Sequence, residues 1–389
     1  MHIWPNGTTY PCCLADLDYT VGNTNDNTFV ELWNSERMRE LRLNMLNDKP
    51  TSGCKKCYEH EANGKRSMRQ DQNREAKHLM DRVKLTNDDG SLDEVYMSYM
   101  DIRFSNICNM KCRSCGPELS SFWVDDAIKM GRYTKDQPRI LKIKKSLDEL
   151  WNDMEQWIST VERIYFAGGE PLIMDEHYKI LEHLISIGRT DIGLSYNTNL
   201  SKLTYKNKDV IELWKHFPVV RIGASLDASG ERAEYMRSGT KWKDIEHNIQ
   251  RIKTELPNAE LQVSATISAY NALHITDFLD DWIEKGWIKP WDVDFNILLF
   301  PEYQRAQVLP EKIRHEIQRK TKRFIAKHDL SKTDKNGRAI SGANALIESV
   351  ETGKPHLLDM FIKYNNQLDM IRDEHLTNAF PELRAIYFK

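Results

Sequence analysis

Between residues 95 and 300 the chain alternates two hydrophobic patterns. Short runs of apolar, β-branched and aromatic residues predict strands at 96–104, 161–166, 192–197, 219–226, 261–267 and 293–299. Between them apolar positions recur every three or four residues, which predicts amphipathic helices such as 176–187 and 242–256. Six units joined by crossover-length connections predict parallel strands, in an open α/β sheet or a partial barrel. Ahead of them, extended apolar runs flank Pro5-Asn6-Gly7 as strands flank a hairpin turn. A helical pattern then runs over 28–46, carried by Phe29, Leu32, Trp33, Met38, Leu41, Leu43 and Met45. Residues 61–95 are polar and charged, a helical linker ending in a loop at Asp88-Asp89-Gly90. The last stretch reads as helices around the polar loop SKTDKNGR. The expected organisation is therefore a small unit at 1–60, a linker at 61–95, an α/β core at 96–305 and a helical region at 306–389.

Composition narrows the function classes. The 389 residues hold 55 basic and 58 acidic side chains, a formal net charge of −3, so there is no global electrostatic reason to expect nucleic acid or an anionic membrane as partner. The basic run Lys142 to Lys145 is expected to be a solvated face. The longest apolar runs are too short to span a bilayer, and the start lacks a basic-then-apolar leader. A cytoplasmic protein that spans no membrane is the expectation.

The seven cysteines, at 12, 13, 54, 57, 108, 112 and 115, are odd in number, gathered in tight groups and absent after 115. That is the pattern of metal-binding thiols in a reducing compartment rather than of a disulfide scaffold. Cys108, Cys112 and Cys115 follow the first core strand, in a loop at the carboxyl end of the sheet where α/β folds assemble their sites. Three thiolates three or four residues apart on a curled backbone can hold three corners of a cubane iron–sulfur cluster and leave the fourth iron open. A zinc site with a fourth ligand elsewhere is the alternative.

Here the sequence resembles the radical S-adenosylmethionine (SAM) enzymes. CNMKC followed by RSC is similar to their cluster loop, and the second strand ends in YFAGGEP, 165–171. The resemblance implies a partial (β/α)6 TIM-like barrel of parallel strands between the small cysteine-rich hairpin-plus-helix module and the helical C-terminal region. It also implies a 4Fe-4S cluster on Cys108, Cys112 and Cys115, and reductive cleavage of SAM to a 5'-deoxyadenosyl radical that abstracts hydrogen from a substrate. Gly168, Gly169, Glu170 and Pro171 are then expected at the amino group of SAM, because small residues admit backbone and a carboxylate accepts from an ammonium. SYNTN would bring Ser195, Asn197 and Asn199 to the ribose and carboxylate; ASLD and EYMRSG would bring Ser225 to SAM and Arg237 to its carboxylate. Asp227 would hold the loop or the substrate, while Thr266 and Ile267 would pack beneath the adenine with Asn271 just beyond. Turn chemistry or strand core would explain these strand-end residues equally well. The chain departs from many relatives at Ser114, where they carry an aromatic residue.

WPNGTTYPCC, FVELWNSERMRELR and CKKC resemble the auxiliary-cluster modules called SPASM and twitch, placed here before the barrel. A second 4Fe-4S cluster on Cys12, Cys13, Cys54 and Cys57 is the implication, with structural zinc as the alternative. Adjacent residues on a strand point to opposite faces, so Cys12 and Cys13 share a cluster only if the backbone turns. The chain begins inside the first strand, so either the start is truncated, or the auxiliary cluster has an open iron, or both adjacent thiols ligate.

The resemblance further implies a flavodoxin- or ferredoxin-type reductant and an oxidoreductase-type reaction. A peptide or protein side chain is the first substrate expectation; a sugar, aminocyclitol or nucleotide-like metabolite is the second. An iron–sulfur electron carrier or a zinc-stabilised binding protein would explain the cysteines, but not GGEP, SYNTN and ASLD at successive strand ends.

Overall fold

The computed structural model describes residues 1–62 and 66–387; 63–65 of the expected linker and 388–389 of the C-terminal region lie outside the described residues. The chain enters its sheet at once, with β1 (His2–Ile3), β2 (Thr8–Tyr10) and β3 (Gly22–Asn23) forming an antiparallel meander. Gly7 makes the first turn at φ +84, a conformation that costs a glycine little. The six core strands follow: β4 (Tyr99–Ile102), β5 (Arg163–Phe166), β6 (Gly193–Thr198), β7 (Val219–Ala224), β8 (Glu260–Ile267) and β9 (Val293–Ile297). Each pairs in parallel with the next, so their spatial order repeats their chain order, the arrangement of a partial (β/α)6 barrel.

Alternation along the strands sorts two faces. In β6, Leu194, Tyr196 and Thr198 are buried, and Tyr196 stacks on Phe166 with ring centres 5.1 Å apart and meets Trp214 edge-on at 5.1 Å. This is the helix-covered face, backed by helices Asp175–Ser186, Val210–Trp214, Trp242–Glu255 and Ile275–Glu284. Gly193, Ser195 and Asn197 line the other face, half-buried.

β1 also pairs in parallel with β4, so the N-terminal meander continues the barrel sheet beyond its first strand. Ile3, Phe29 and Leu32 belong to the main core, where Phe29 stacks on Trp157 at 5.1 Å. The helix expected over 28–46 is two helices, Phe29–Trp33 and Glu36–Leu46. The first starts at a capping box of Thr28 and Glu31. It ends because Asn34 turns its amide onto Leu92, donating to the carbonyl at 2.9 Å and accepting from the N–H at 3.0 Å, while Ser35 is extended.

The C-terminal helices pack against the core. Helix Arg338–Ser349 lies along β9 closely enough that a Cβ on Gly342 would sit 2.9 Å from that of Phe295. In the expected loop SKTDKNGR the first residues instead complete a helical turn, Leu330–Thr333. Helix Leu358–Arg372 reaches the loop that follows β4.

Candidate functional site

The loop after β4 carries the three cysteines. Cys108 and Cys112 are buried, Cys115 is half-buried, and the three pack together around Met110. Asn106 is the spine of the loop: fully buried, it donates to the carbonyls of Pro117 and Arg139 and accepts from Leu141 N. A second anchor is Trp123, whose indole N–H donates to the Cys112 carbonyl at 2.6 Å. The Cys115 thiol donating to it holds Cys112 below the usual thiol range, against burial and with help from Arg237; the same bond raises Cys115. Burial pushes the Cys108 thiol up to about 12.

The glycines of YFAGGEP serve this loop. Gly169 N donates to the Ser105 carbonyl at 3.1 Å, and Glu170 N donates to the Ile107 carbonyl at 2.8 Å. A Cβ on Gly169 would lie 1.9 Å from that same Ile107 oxygen, and one on Gly168, at φ +120, would meet Arg103 and Ser105. The close backbone approach that glycine permits is made to the cysteine loop itself.

Several expected contacts are committed within the protein. Glu170 does not offer its carboxylate to an ammonium. It is 1 % exposed and accepts from Leu172 N, Asn199 N and the Thr198 hydroxyl, while burial raises it to about 7 against those three bonds. Asn199 is likewise spent, donating to Asn109 Oδ1 at 3.0 Å and accepting from Ser201 N. Arg237 is not a free guanidinium: Nε and a terminal nitrogen donate to both oxygens of Asp227, at 2.8 and 3.0 Å, and its other terminal nitrogen points at Cys112 Sγ, 3.6 Å away. Asp227 also accepts from Thr266 N, so the ends of β7 and β8 are tied through one carboxylate.

Thr266 and Ile267 cannot both face one ligand. Ile267 is buried in the helix-side core at 1 % exposure, and Thr266 turns to the opposite face, as a two-residue period requires. The side chains of Ser195, Asn197, Ser225 and Thr266 make no hydrogen bonds among the described residues. They share their face with Asp101, Tyr165, Gln262, Ser264 and Asp294, and the registers place Asp101, Tyr165 and Ser195 side by side. The inner wall is therefore polar along most of its width.

Ser114 is half-buried, and aromatic side chains from other parts of the chain pack near its neighbour Cys115. Trp123 and Tyr364 form a buried cluster against Cys115, with Tyr303 packed 5.2 Å from Tyr364. Tyr303 and Tyr364 lie almost 200 residues or more along the chain from Ser114, beyond any local motif.

In the N-terminal unit the backbone does turn at the paired cysteines, closed by Ala15 N donating to the Cys12 carbonyl at 3.2 Å. Cys12 lies within electrostatic reach of Cys54 and Cys57, and the N–H groups of Leu14 and Ala15 point at its sulfur. Cys13 is exposed, contacts Met68 Sδ at 3.6 Å and senses Asp101 and Arg103 of the barrel. Among the described residues, no group of three or more His, Cys, Asp or Glu side chains is arranged to hold a single metal ion. No described helix is long and apolar enough to cross a membrane.

The family model described as the radical SAM superfamily matches residues 102–273, and the SPASM model, an iron-sulfur cluster-binding domain, matches 1–58. Curated relatives include a GTP 3',8-cyclase of Alkaliphilus oremlandii (strain OhILAs), 26 % identical over 215 residues, covering 54 % of this chain and 59 % of that protein. A GTP 3',8-cyclase of Campylobacter lari is 26 % identical over 186 residues, covering 47 % and 50 %. The chain spans about half the length of the curated relatives it matches. Among solved structures, native anSMEcpe with bound AdoMet is 18 % identical with a TM-score of 0.44, covering 60 % of this chain and 62 % of that one.

Proposed function

From the premise that this chain belongs to the radical SAM superfamily and carries a SPASM-type iron–sulfur module at its N-terminus, we propose that it abstracts hydrogen from a compact polar metabolite of the sugar or nucleotide class held against the inner wall of the barrel. The family's cofactors, SAM and a 4Fe-4S cluster, supply an electron and a carbon radical when bound. The donor set suits the cluster: three cysteines, two of them buried, pack together around Met110, and one of them is held toward thiolate. In this reading Cys108, Cys112 and Cys115 hold the cluster, and Ser195, Asn197, Ser225 and Thr266 offer their uncommitted polar groups to SAM. Gly168 and Gly169 bring the turn against the loop, Glu170 and Asn199 brace it, and Arg237, ion-paired to Asp227, turns its remaining terminal nitrogen to Cys112 rather than to a ligand carboxylate. Pro171 opens the short turn Pro171–Ile173 behind Glu170. Cys12, Cys54 and Cys57 form the auxiliary set, with Cys13 turned toward the barrel.

The observation that carries the substrate class is the polar inner wall. Ser195, Asn197, Ser225 and Thr266 keep uncommitted polar side chains on the same face as Tyr165, Gln262 and Asp294, a surface that suits a small hydroxylated ligand, whereas a peptide would be gripped by backbone pairing along an open edge and by apolar pockets. The name of the relatives, GTP 3',8-cyclase, supports a nucleotide. The test uses anaerobically reconstituted protein with dithionite and SAM, scored for 5'-deoxyadenosine with and without nucleoside triphosphates, nucleotide sugars or a mixed peptide pool. Stimulation by a nucleotide or sugar, lost in Cys112→Ala, is expected; stimulation by peptides alone overturns the substrate class.

A further inference from the structure

We propose that Arg113 is a positioning residue for the Cys112–Cys115 segment and that helix Leu358–Arg372, with the turn after it, is the clasp that fixes it. The inference rests on the reading that Cys108, Cys112 and Cys115 hold the cluster. Arg113 stands between two of those cysteines and is 1 % exposed, so a full charge is taken out of water inside the loop. Such a charge is tolerated only with partners, and all three guanidinium nitrogens have them. Nε donates to the Tyr235 carbonyl at 3.1 Å, one terminal nitrogen donates to Asn365 Oδ1 at 3.3 Å, and the other donates to Asp369 at 2.5 Å and Glu374 at 2.6 Å. The Tyr235 ring lies 3.6 Å from the guanidinium carbon.

The carbonyl of Arg113 is held too, accepting from Gln304 Nε2 at 3.2 Å and the Tyr364 hydroxyl at 3.3 Å. Asp369 is itself fixed by the Tyr235 hydroxyl at 2.9 Å and by Leu376 N at 2.9 Å. The same helix reaches the other side of Cys112. Arg372 donates to Asp126 at 2.8 Å, Asp126 pairs with Lys111 at 3.1 Å, and the Arg372 guanidinium lies over Trp123, whose N–H holds the Cys112 carbonyl. Lys111, Cys112 and Arg113 thus all bear on one C-terminal helix. A loop movement that changed the Cys112 to Cys115 spacing would pull Arg113 off two carboxylates at once, so the clasp selects the ligating geometry before the cluster arrives.

The full-length protein, reconstituted anaerobically, is challenged with an iron chelator, and the reduced-cluster EPR signal is recorded alongside. Asp369→Asn is expected to speed loss of the barrel-cluster iron about tenfold or more, and Glu374→Gln, at a more exposed carboxylate, severalfold. Met370→Ala, on the exposed side of the same helix, leaves the rate unchanged. Arg113→Lys keeps the charge without the fork and falls between wild type and Asp369→Asn. If Asp369→Asn does not fold by circular dichroism, Glu374→Gln and Arg113→Lys decide. Wild-type release rates and an unchanged signal in these variants overturn the clasp. If Cys112→Ala retains the full iron count, the cysteine assignment falls and the clasp falls with it, a result distinct from the first.

Discussion

Replacing Gly169 with alanine tests whether the glycine turn is shaped for the cysteine loop. The added methyl would stand 1.9 Å from the Ile107 oxygen and 2.6 Å from its carbon, both backbone atoms that no rotamer change can move aside. Restoring a tolerable separation of 3.0 Å requires the two segments to part by about 1 Å. That movement stretches the bonds from Gly169 N to Ser105 O and from Glu170 N to Ile107 O, now 3.1 and 2.8 Å. Two buried hydrogen bonds at about 1 kcal/mol each, with overpacking of about 1–2 kcal/mol, give about 3–4 kcal/mol of local destabilisation. Since each 1.4 kcal/mol is about tenfold, the amides at positions 169 and 170, which donate those two bonds, should exchange with deuterium at least about 100 times faster than in wild type. Cluster iron should fall as well, because Cys108 follows the displaced carbonyl. Gly193→Ala is the control, since its Cβ would meet only Arg163 Cγ at an ordinary 3.5 Å. Wild-type exchange and iron content in Gly169→Ala would refute the argument and return the glycine to a ligand-facing role.

Two further outcomes follow from the geometry. Glu170 is raised from 4.5 to about 7 by burial, so the folded protein binds its proton more tightly than the unfolded chain. Stability should therefore fall as pH rises from about 4.5 to about 7, by up to about 3 kcal/mol. Denaturant titrations of wild type and Glu170→Gln check this, and equal slopes across that window contradict it. At the N-terminus, Cys12→Ala should lose about 4 of about 8 iron atoms per chain, whereas Cys13→Ala should keep them. The opposite pattern would reverse the assignment, and about 4 iron with stoichiometric zinc in wild type would replace the auxiliary cluster altogether.

The six core strands were legible because each is a short β-branched and aromatic run between amphipathic helices, and the observed spans fall within or one residue beyond the expected ones. The cysteine loop was legible because it is local: three thiols within eight residues. What was hidden depends on contacts far apart in sequence. Nothing near Glu170 announces that Thr198 and Asn199 will occupy its carboxylate, and nothing near Arg113 announces partners some 250 residues later. The split of helix 28–46 is of the same kind, decided by Asn34 meeting Leu92. By contrast, the opposite orientations of Thr266 and Ile267 follow from strand periodicity alone and could have been drawn from the sequence.

The N-terminal position of the SPASM-type module is explained by the sheet. A module that must sit beside the first barrel strand can do so from either end of a chain, provided it offers a strand to the free edge of β4. β1 does this, pairing His2 with Asp101 and Ile3 with Ile102 in parallel register. The edge is sealed by a side-chain bond as well, His2 Nδ1 to Asp101 Oδ2 at 2.7 Å, and Arg103 donates to the other Asp101 oxygen at 3.0 Å. Asp101 in turn lies in register with Tyr165 of the next strand and senses Cys13 of the module. One carboxylate therefore belongs both to the polar inner wall and to the surroundings of Cys13 in the N-terminal module. On the proposed reading, an auxiliary cluster built on Cys12, Cys54 and Cys57 would border the substrate space through β1 and β4, which are paired directly in the sheet.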